Sequence, residues 1–189
     1  FSSYKILGPH CASFVADPAL LETIYNDKLL PSTMVVPERF EFGTLPYEIM
    51  AGVSASIDYV ANLDRSATGS RRQKIVQSMK ALEEYEQELF KYLEDNLKAL
   101  PGITLYGKAK NRTPTCYFNF AGVSGADLYK FMAQHKVNLP AHNFYALEVS
   151  RAIGLGDAGA IRAGLAPYSI KEDVDRLIAG IKLFLAKAA

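Results

Sequence analysis

Between residues 70 and 99 a single apolar stripe runs through the chain: Ile75, Met79, Leu82, Leu89, Leu93 and Leu97. The spacings place these residues on one face of a long α-helix. Its basic start and acidic middle (Glu83, Glu84, Glu86, Glu88) read as a solvated face. Pro101-Gly102 ends the helix. The polar, aperiodic stretch 64–71 just before it is the best internal boundary. A helix of this length divides the chain into a part before it and a part after it.

In the first part, Ala12–Ala16 reads as a short buried strand. Asp17-Pro18 follows as an N-cap with proline at the first helical position, opening a short helix through Leu20, Leu21 and Ile24. Residues 30–44 hold Pro31, Pro37 and Gly43 without a clean period and read as a long loop. From Pro46 to about Asn62, Ile49, Val53, Ile57 and Val60 recur at helical spacing among many small residues, which predicts a tightly packed, buried helix.

The last 89 residues alternate in type. Ile103–Tyr106, Thr115–Phe120, Val137–Leu139 and Ala160–Leu165 read as strands, with helices at Ala126–Gln134, Tyr145–Ile153 and Ile170–Lys187. Ser169 as N-cap with Glu172 three residues on reads as a capping box for the last helix. Strands separated by helices predict an α/β or α+β module.

Charge and composition narrow the function. Lys plus Arg number 21 against 20 acidic residues, a net charge of +1, which argues against a nucleic-acid partner. There is no apolar run of about 18 residues, so no membrane span is expected. Cys11 and Cys116 fit neither a disulfide framework nor a zinc spacing, and a reducing, cytoplasmic setting is expected. His10, His135 and His142 show no metal-ligand spacing, so no metal site is expected. Chemistry-bearing residues begin at the first position, which predicts that the chain is a fragment and that residues before Phe1 belong to its fold.

Two motif matches fail on context. Gly154-Leu155-Gly156-Asp157-Ala158-Gly159 has the spacing of a dinucleotide fingerprint, but a predicted helix precedes it and a predicted strand follows, the reverse of the required order. It reads as a turn. Ser2-Ser3-Tyr4-Lys5 has S-x-x-K spacing, but neither K-T-G nor S-D-N accompanies it.

Lys5 and Arg162 carry more. Partial burial that lowers its pKa would make Lys5 a nucleophile able to form a Schiff base with a carbonyl; a surface lysine is the alternative. Arg162 sits in the apolar run Ala160–Ala166, where a guanidinium is expensive unless paired. It reads either as a clamp for a carboxylate or as an edge-strand arginine reaching solvent.

Three blocks in order (Phe1-Ser2-Ser3-Tyr4-Lys5 with Gly8-Pro9; Arg39-Phe40-Glu41 with Gly43-Thr44; Arg162–Tyr168 with Glu172–Leu177) resemble the class V aminotransferases, in particular their cysteine-desulfurase-like branch. The resemblance covers the C-terminal half of such a chain. It implies a fold class of α/β: residues 1–64 as the end of the large domain that binds pyridoxal 5'-phosphate, 65–100 as a long connecting helix, and 101–189 as a small C-terminal α/β (α+β) domain. It implies that Lys5 holds the cofactor as a Schiff base and that Ser2 and Tyr4 contact its phosphate. Thr44 would reach the phosphate of the neighbouring subunit in a homodimer with shared active sites. Arg162 and Asn143 would bind the amino-acid substrate, Arg162 through the α-carboxylate. A non-catalytic relative serving as a binding or scaffold subunit is the alternative.

The chain departs from the desulfurase pattern at two points. Desulfurases commonly have histidine where this chain has Tyr4. The stretch matching their cysteine-bearing loop is Leu139–Ala146, with Tyr145 near the cysteine position. Both cysteines of this chain are expected in buried strands, where thiols are usually inert. Transamination, β-elimination and racemisation therefore stay open, and a persulfide route is disfavoured.

Overall fold

The computed structural model describes residues 1–41 and 43–188. The chain forms two compact units, Phe1–Ala81 and Leu82–Ala189, and the division falls inside the long helix.

The first unit opens with a 3-10 turn, Ser3–Ile6, closed by Leu7 in a left-handed conformation (φ 63°). Ser3 is fully buried and its hydroxyl donates to the carbonyls of Pro9 and Cys11, so a polar side chain stitches the turn to the segment after it. Helix α1 (Pro18–Thr23) starts as the sequence predicts: the Asp17 carboxylate accepts the Ala19 N–H at 2.7 Å, and Pro18 takes a position that needs no N–H partner. Arg39 closes the other end of α1. Its buried guanidinium donates to the carbonyls of Leu21 and Ile24 at the end of the helix, the Leu21 carbonyl also accepting the Ile24 N–H.

Helix α2 (Tyr47–Ala61) lies within the predicted span. It packs against the 3-10 turn through small residues. A Cβ on Gly8 would lie 2.8 Å from Ser56 Oγ, and one on Gly52 would lie 3.2 Å from Pro9 Cγ. The burial expected of α2 is not found. Ser56 and Ala61 are its buried residues, while Ile49, Val53, Ile57 and Val60 are half-buried. The expected strand at residues 12–16 is also absent. A strand needs a neighbour, and the described residues supply one bridge, Ser2 to Ala12; Phe14 and Val15 stand exposed.

Helix α3 (Arg71–Lys98) agrees with its predicted limits to within a residue. In the second unit its residues Leu89, Phe90, Leu93 and Leu97 enter one core with Cys116, Phe118, Leu128, Met132, Ile161 and Ile181. Strands β1 (Ile103–Tyr106) and β2 (Thr115–Phe120) match their predicted spans; helix α4 (Gly125–Gln134), strand β3 (Ala141–His142), helix α5 (Leu147–Ala152), strand β4 (Ala160–Gly164) and helix α6 (Lys171–Ala188) follow. The sheet order is β1-β2-β4-β3, with every pairing antiparallel. Cys116, Phe118 and Phe120 point into the core, and the alternate residues of β2 face away from it.

Four local expectations are corrected. Val137–Leu139 is not a strand: Val137 N–H returns to the Met132 carbonyl, and the approach to β4 begins at Pro140, whose carbonyl accepts the Arg162 N–H at 2.9 Å. Helix α5 starts later than Tyr145, because Phe144 and Tyr145 are left-handed (φ 53° and 65°). The box at α6 is shifted by one residue. Helix α6 begins at Lys171, the Asp173 carboxylate accepts the Ile170 N–H, and the Ser169 hydroxyl accepts the Ala166 N–H instead. Cys11 is half-buried and outside any strand, whereas Cys116 is buried on β2 as expected.

Candidate active site

The sequence-derived site residues fall into two groups, one in each unit. Ser2, Tyr4 and Lys5 share the 3-10 turn at the head of the first unit. Its backbone is held by Ser3 N–H to the Cys11 carbonyl and Gly8 N–H to the Ser3 carbonyl, each 3.0 Å. Lys5 is exposed, as in the surface-lysine alternative, and makes no ion pair among the described residues. Its Nζ lies 5.7 Å from the Tyr4 ring centre. Tyr4 stacks on His10 at 4.9 Å, a neighbour that sequence reasoning had weighed only as a metal ligand. Thr44 is exposed in coil just before α2. The hydroxyls of Ser2 and Thr44 are free of hydrogen bonds among the described residues.

The second group surrounds Arg162 on β4. The strand is not an edge strand, because β4 lies between β2 and β3, although the arginine does reach solvent as that alternative had it. Arg162 is exposed while Ile161 and Ala163 on either side are buried, so its side chain leaves the core face. Its guanidinium carbon sits 4.0 Å from the Phe144 ring centre. No acidic partner is found for it among the described residues.

Phe144 belongs to the 140–147 segment, and three contacts hold that segment. The Tyr117 hydroxyl donates to the His142 carbonyl at 3.0 Å and accepts the Ala160 N–H at 2.7 Å, bridging the point where β3 leaves β4. The Asn143 amide donates to the Asp157 carbonyl at 2.9 Å while its oxygen accepts the Tyr145 N–H at 3.1 Å. Gly159 (φ 70°) packs directly on the His142–Asn143 peptide, where a Cβ would overlap backbone atoms. Phe144 and Tyr145 thereby occupy a conformation that costs each about 1–2 kcal/mol for a residue with a Cβ. Tyr145 is fully exposed.

The glycine-rich run is a turn between α5 and β4, with Gly154, Gly156 and Gly159 all left-handed. Arg151 grips Asp157 through two bonds of 2.6 and 3.0 Å, which anchors this turn from α5. Among the described residues, no group of three or more His, Cys, Asp or Glu is placed to hold a metal, and no helix is long and apolar enough to cross a membrane. Burial pushes the Cys116 thiol up to about 11, with the Glu94 carboxylate adding to it. Such a thiol stays protonated and unreactive near neutral pH.

Sequence reasoning missed Tyr117, Phe144 and His10. Tyr117 was within reach, since β2 alternation puts it on the outer face and it pairs with Arg162 in register. Phe144 carried no signal, because nothing local marks a phenylalanine for a left-handed conformation.

The aminotransferase class-V profile matches residues 1–177. An uncharacterized protein of Mycobacterium tuberculosis is 32% identical over 173 residues, covering 90% of this chain and 43% of its own. A cysteine desulfurase of Salmonella agona is 32% identical over 145 residues, covering 77% of this chain and 32% of its own. Among solved structures, the cysteine desulfurase CsdA from Escherichia coli superposes with a TM-score of 0.74 at 24% identity, over 98% of this chain and 45% of that one. The apo cysteine desulfurase from Thermococcus onnurineus NA1 gives 0.65 at 23% identity, over 87% and 38%. The mixed helix and sheet fold thus resembles that of cysteine desulfurases. The chain spans less than half the length of each of these proteins.

Proposed function

The chain belongs to the aminotransferase class-V family, and on that premise we propose that it is part of a pyridoxal-phosphate enzyme acting on an amino acid, with Lys5 anchoring the cofactor and Arg162 binding the substrate's α-carboxylate. In this reading residues 1–64 are the end of the cofactor-binding domain, 65–100 the connecting helix and 101–189 the small C-terminal domain.

One observation carries the reading: an exposed guanidinium on an inner strand, lying over an aromatic ring and without an acidic partner among the described residues. An arginine so placed keeps its N–H fork for an external carboxylate, which it grips in two parallel bonds. Asn143 serves the same end of the sheet through the loop it holds.

The residues present fit pyridoxal phosphate by their chemistry. Lys5 offers an amine free of ion pairing, and the Ser2 and Tyr4 hydroxyls on the same turn supply donors for a phosphate. When bound, the cofactor supplies an electron sink for bond cleavage at the substrate's α-carbon. Lys5, as the amine on the turn, is then the group that moves a proton there. Thr44 reaches the phosphate held by a second copy in a homodimer. The exposed apolar residues Tyr25, Leu29, Leu30, Met34 and Val35 support that association.

The reaction is transamination, β-elimination or racemisation rather than sulfur transfer through Cys116 or through a cysteine of the 139–146 segment. Residues 139–146 contain no cysteine, and Cys116 is buried with a raised pKa.

The test is borohydride reduction of the protein with pyridoxal phosphate, followed by peptide mass mapping. A pyridoxyl adduct on Lys5, absent in Lys5→Ala, is the expected result. An adduct on another lysine would mean the anchor is misassigned. No adduct on folded protein would favour a non-catalytic binding subunit.

A further inference from the structure

Resting on the carboxylate role of Arg162, we infer that Phe144 is the positioning residue of that clamp: it holds the guanidinium plane so that the N–H edge alone is offered to a carboxylate. The Arg162 guanidinium carbon lies over the Phe144 ring, 4.0 Å from its centre and within stacking range, and a guanidinium that stacks face-on keeps its in-plane N–H bonds free. An exposed arginine otherwise samples many rotamers, and each must be given up when a ligand arrives. Stacking removes that freedom beforehand, and a preorganised fork loses less on binding.

Phe144 is itself held from several sides. Its ring meets the Tyr117 ring edge-on at 6.1 Å and the His142 ring at 6.3 Å. Tyr117 stands opposite Arg162 in the β2–β4 register, so one side chain contacts both the loop backbone and the ring under the arginine. Asn143 and Gly159 fix the peptide just before Phe144. A left-handed phenylalanine maintained by this many contacts is a conformation the fold keeps in place, and such outliers gather where geometry serves a ligand. The ligand class that uses the exposed edge is a planar carboxylate, as on an α-amino acid.

The test uses the protein with pyridoxal phosphate bound, L-alanine as the probe, and the variants Phe144→Leu, Phe144→Tyr and Arg162→Lys. Affinity is read by calorimetric titration and the stack by the arginine Nε–H resonances of nitrogen-15-labelled protein. In wild type the Arg162 signal, identified by its loss in Arg162→Lys, is displaced by the Phe144 ring current. Phe144→Tyr keeps both the displacement and the affinity. Phe144→Leu loses the displacement and weakens L-alanine about fivefold, the equivalent of one exposed cation–π contact. Equal affinity in wild type and Phe144→Leu, with Arg162→Lys weakened, overturns the role of Phe144 and leaves that of Arg162. Equal affinity in Arg162→Lys overturns the carboxylate reading, and this inference with it. If Phe144→Leu does not fold, the wild-type spectrum still decides: an undisplaced Arg162 signal overturns the proposal.

Discussion

Gly159 packs so closely on the His142 carbonyl that a side chain at position 159 would overlap the peptide it touches. That contact joins the last residue of a turn to the end of β3, and with it the loop that carries Phe144. The left-handed φ of 70° adds a second reason for glycine.

Gly159→Ala is expected to lower stability by about 1–3 kcal/mol, from the steric overlap and the unfavourable φ together. Urea unfolding measures this. A variant as stable as wild type would show that the 140–147 segment moves freely.

Gly8 plays the same part in the first unit. Gly8→Ala places a Cβ 2.8 Å from Ser56 Oγ and 3.0 Å from the Ser3 carbonyl oxygen. A loss of about 1–3 kcal/mol is expected from this overpacking. Ser56→Ala in the same chain removes the nearest atom and should recover part of the loss. Strict additivity in the double-mutant cycle would place the effect elsewhere.

The two cysteines should separate by reactivity. Cys116 is buried with its thiol pushed up to about 11, whereas Cys11 is half-buried. At pH 8 iodoacetamide should therefore modify Cys11 first in the native protein, and Cys116 only after denaturation. Mass mapping of the labelled peptides reads this directly, and prompt labelling of Cys116 would contradict it.

Glu94 provides a pH test. Lys98, at 2.7 Å, and Arg112 hold its carboxylate below the usual range. Because the folded value is depressed, the stabilisation is fully present above the unfolded carboxylate's value. It is lost as pH falls through the folded one. Glu94→Gln should lower stability by about 0.5–1 kcal/mol at pH 7, since the group is partly screened by solvent. The gap should close at strongly acidic pH. Urea melts at both pH values measure it, and a pH-independent gap would point to packing instead.

Much of the fold was legible because its signals are local. The α3 stripe, the β1 and β2 alternation and the Asp17-Pro18 start all depend on residues within a turn or two of each other. The misreadings share one cause: they required partners. Ala12–Ala16 has the composition of a buried strand, but composition does not supply a neighbouring strand. The α2 spacing announced a helix correctly, yet burial depends on what lies across from it.

By itself the sequence determined most of the helical segments and where α1 begins, and residue chemistry singled out Lys5 and Arg162 as candidates, while Thr44 entered through the family resemblance alone. Periodicity, caps and residue chemistry are properties of a short stretch of chain. Only the tertiary structure decided that Arg162 stands on an inner strand and lies on Phe144. It did so through bonds from Tyr117 to positions 25 and 43 residues away and a glycine that admits no Cβ against His142. The left-handed conformation of Phe144 is unfavourable locally, and it persists because contacts from distant parts of the chain hold it.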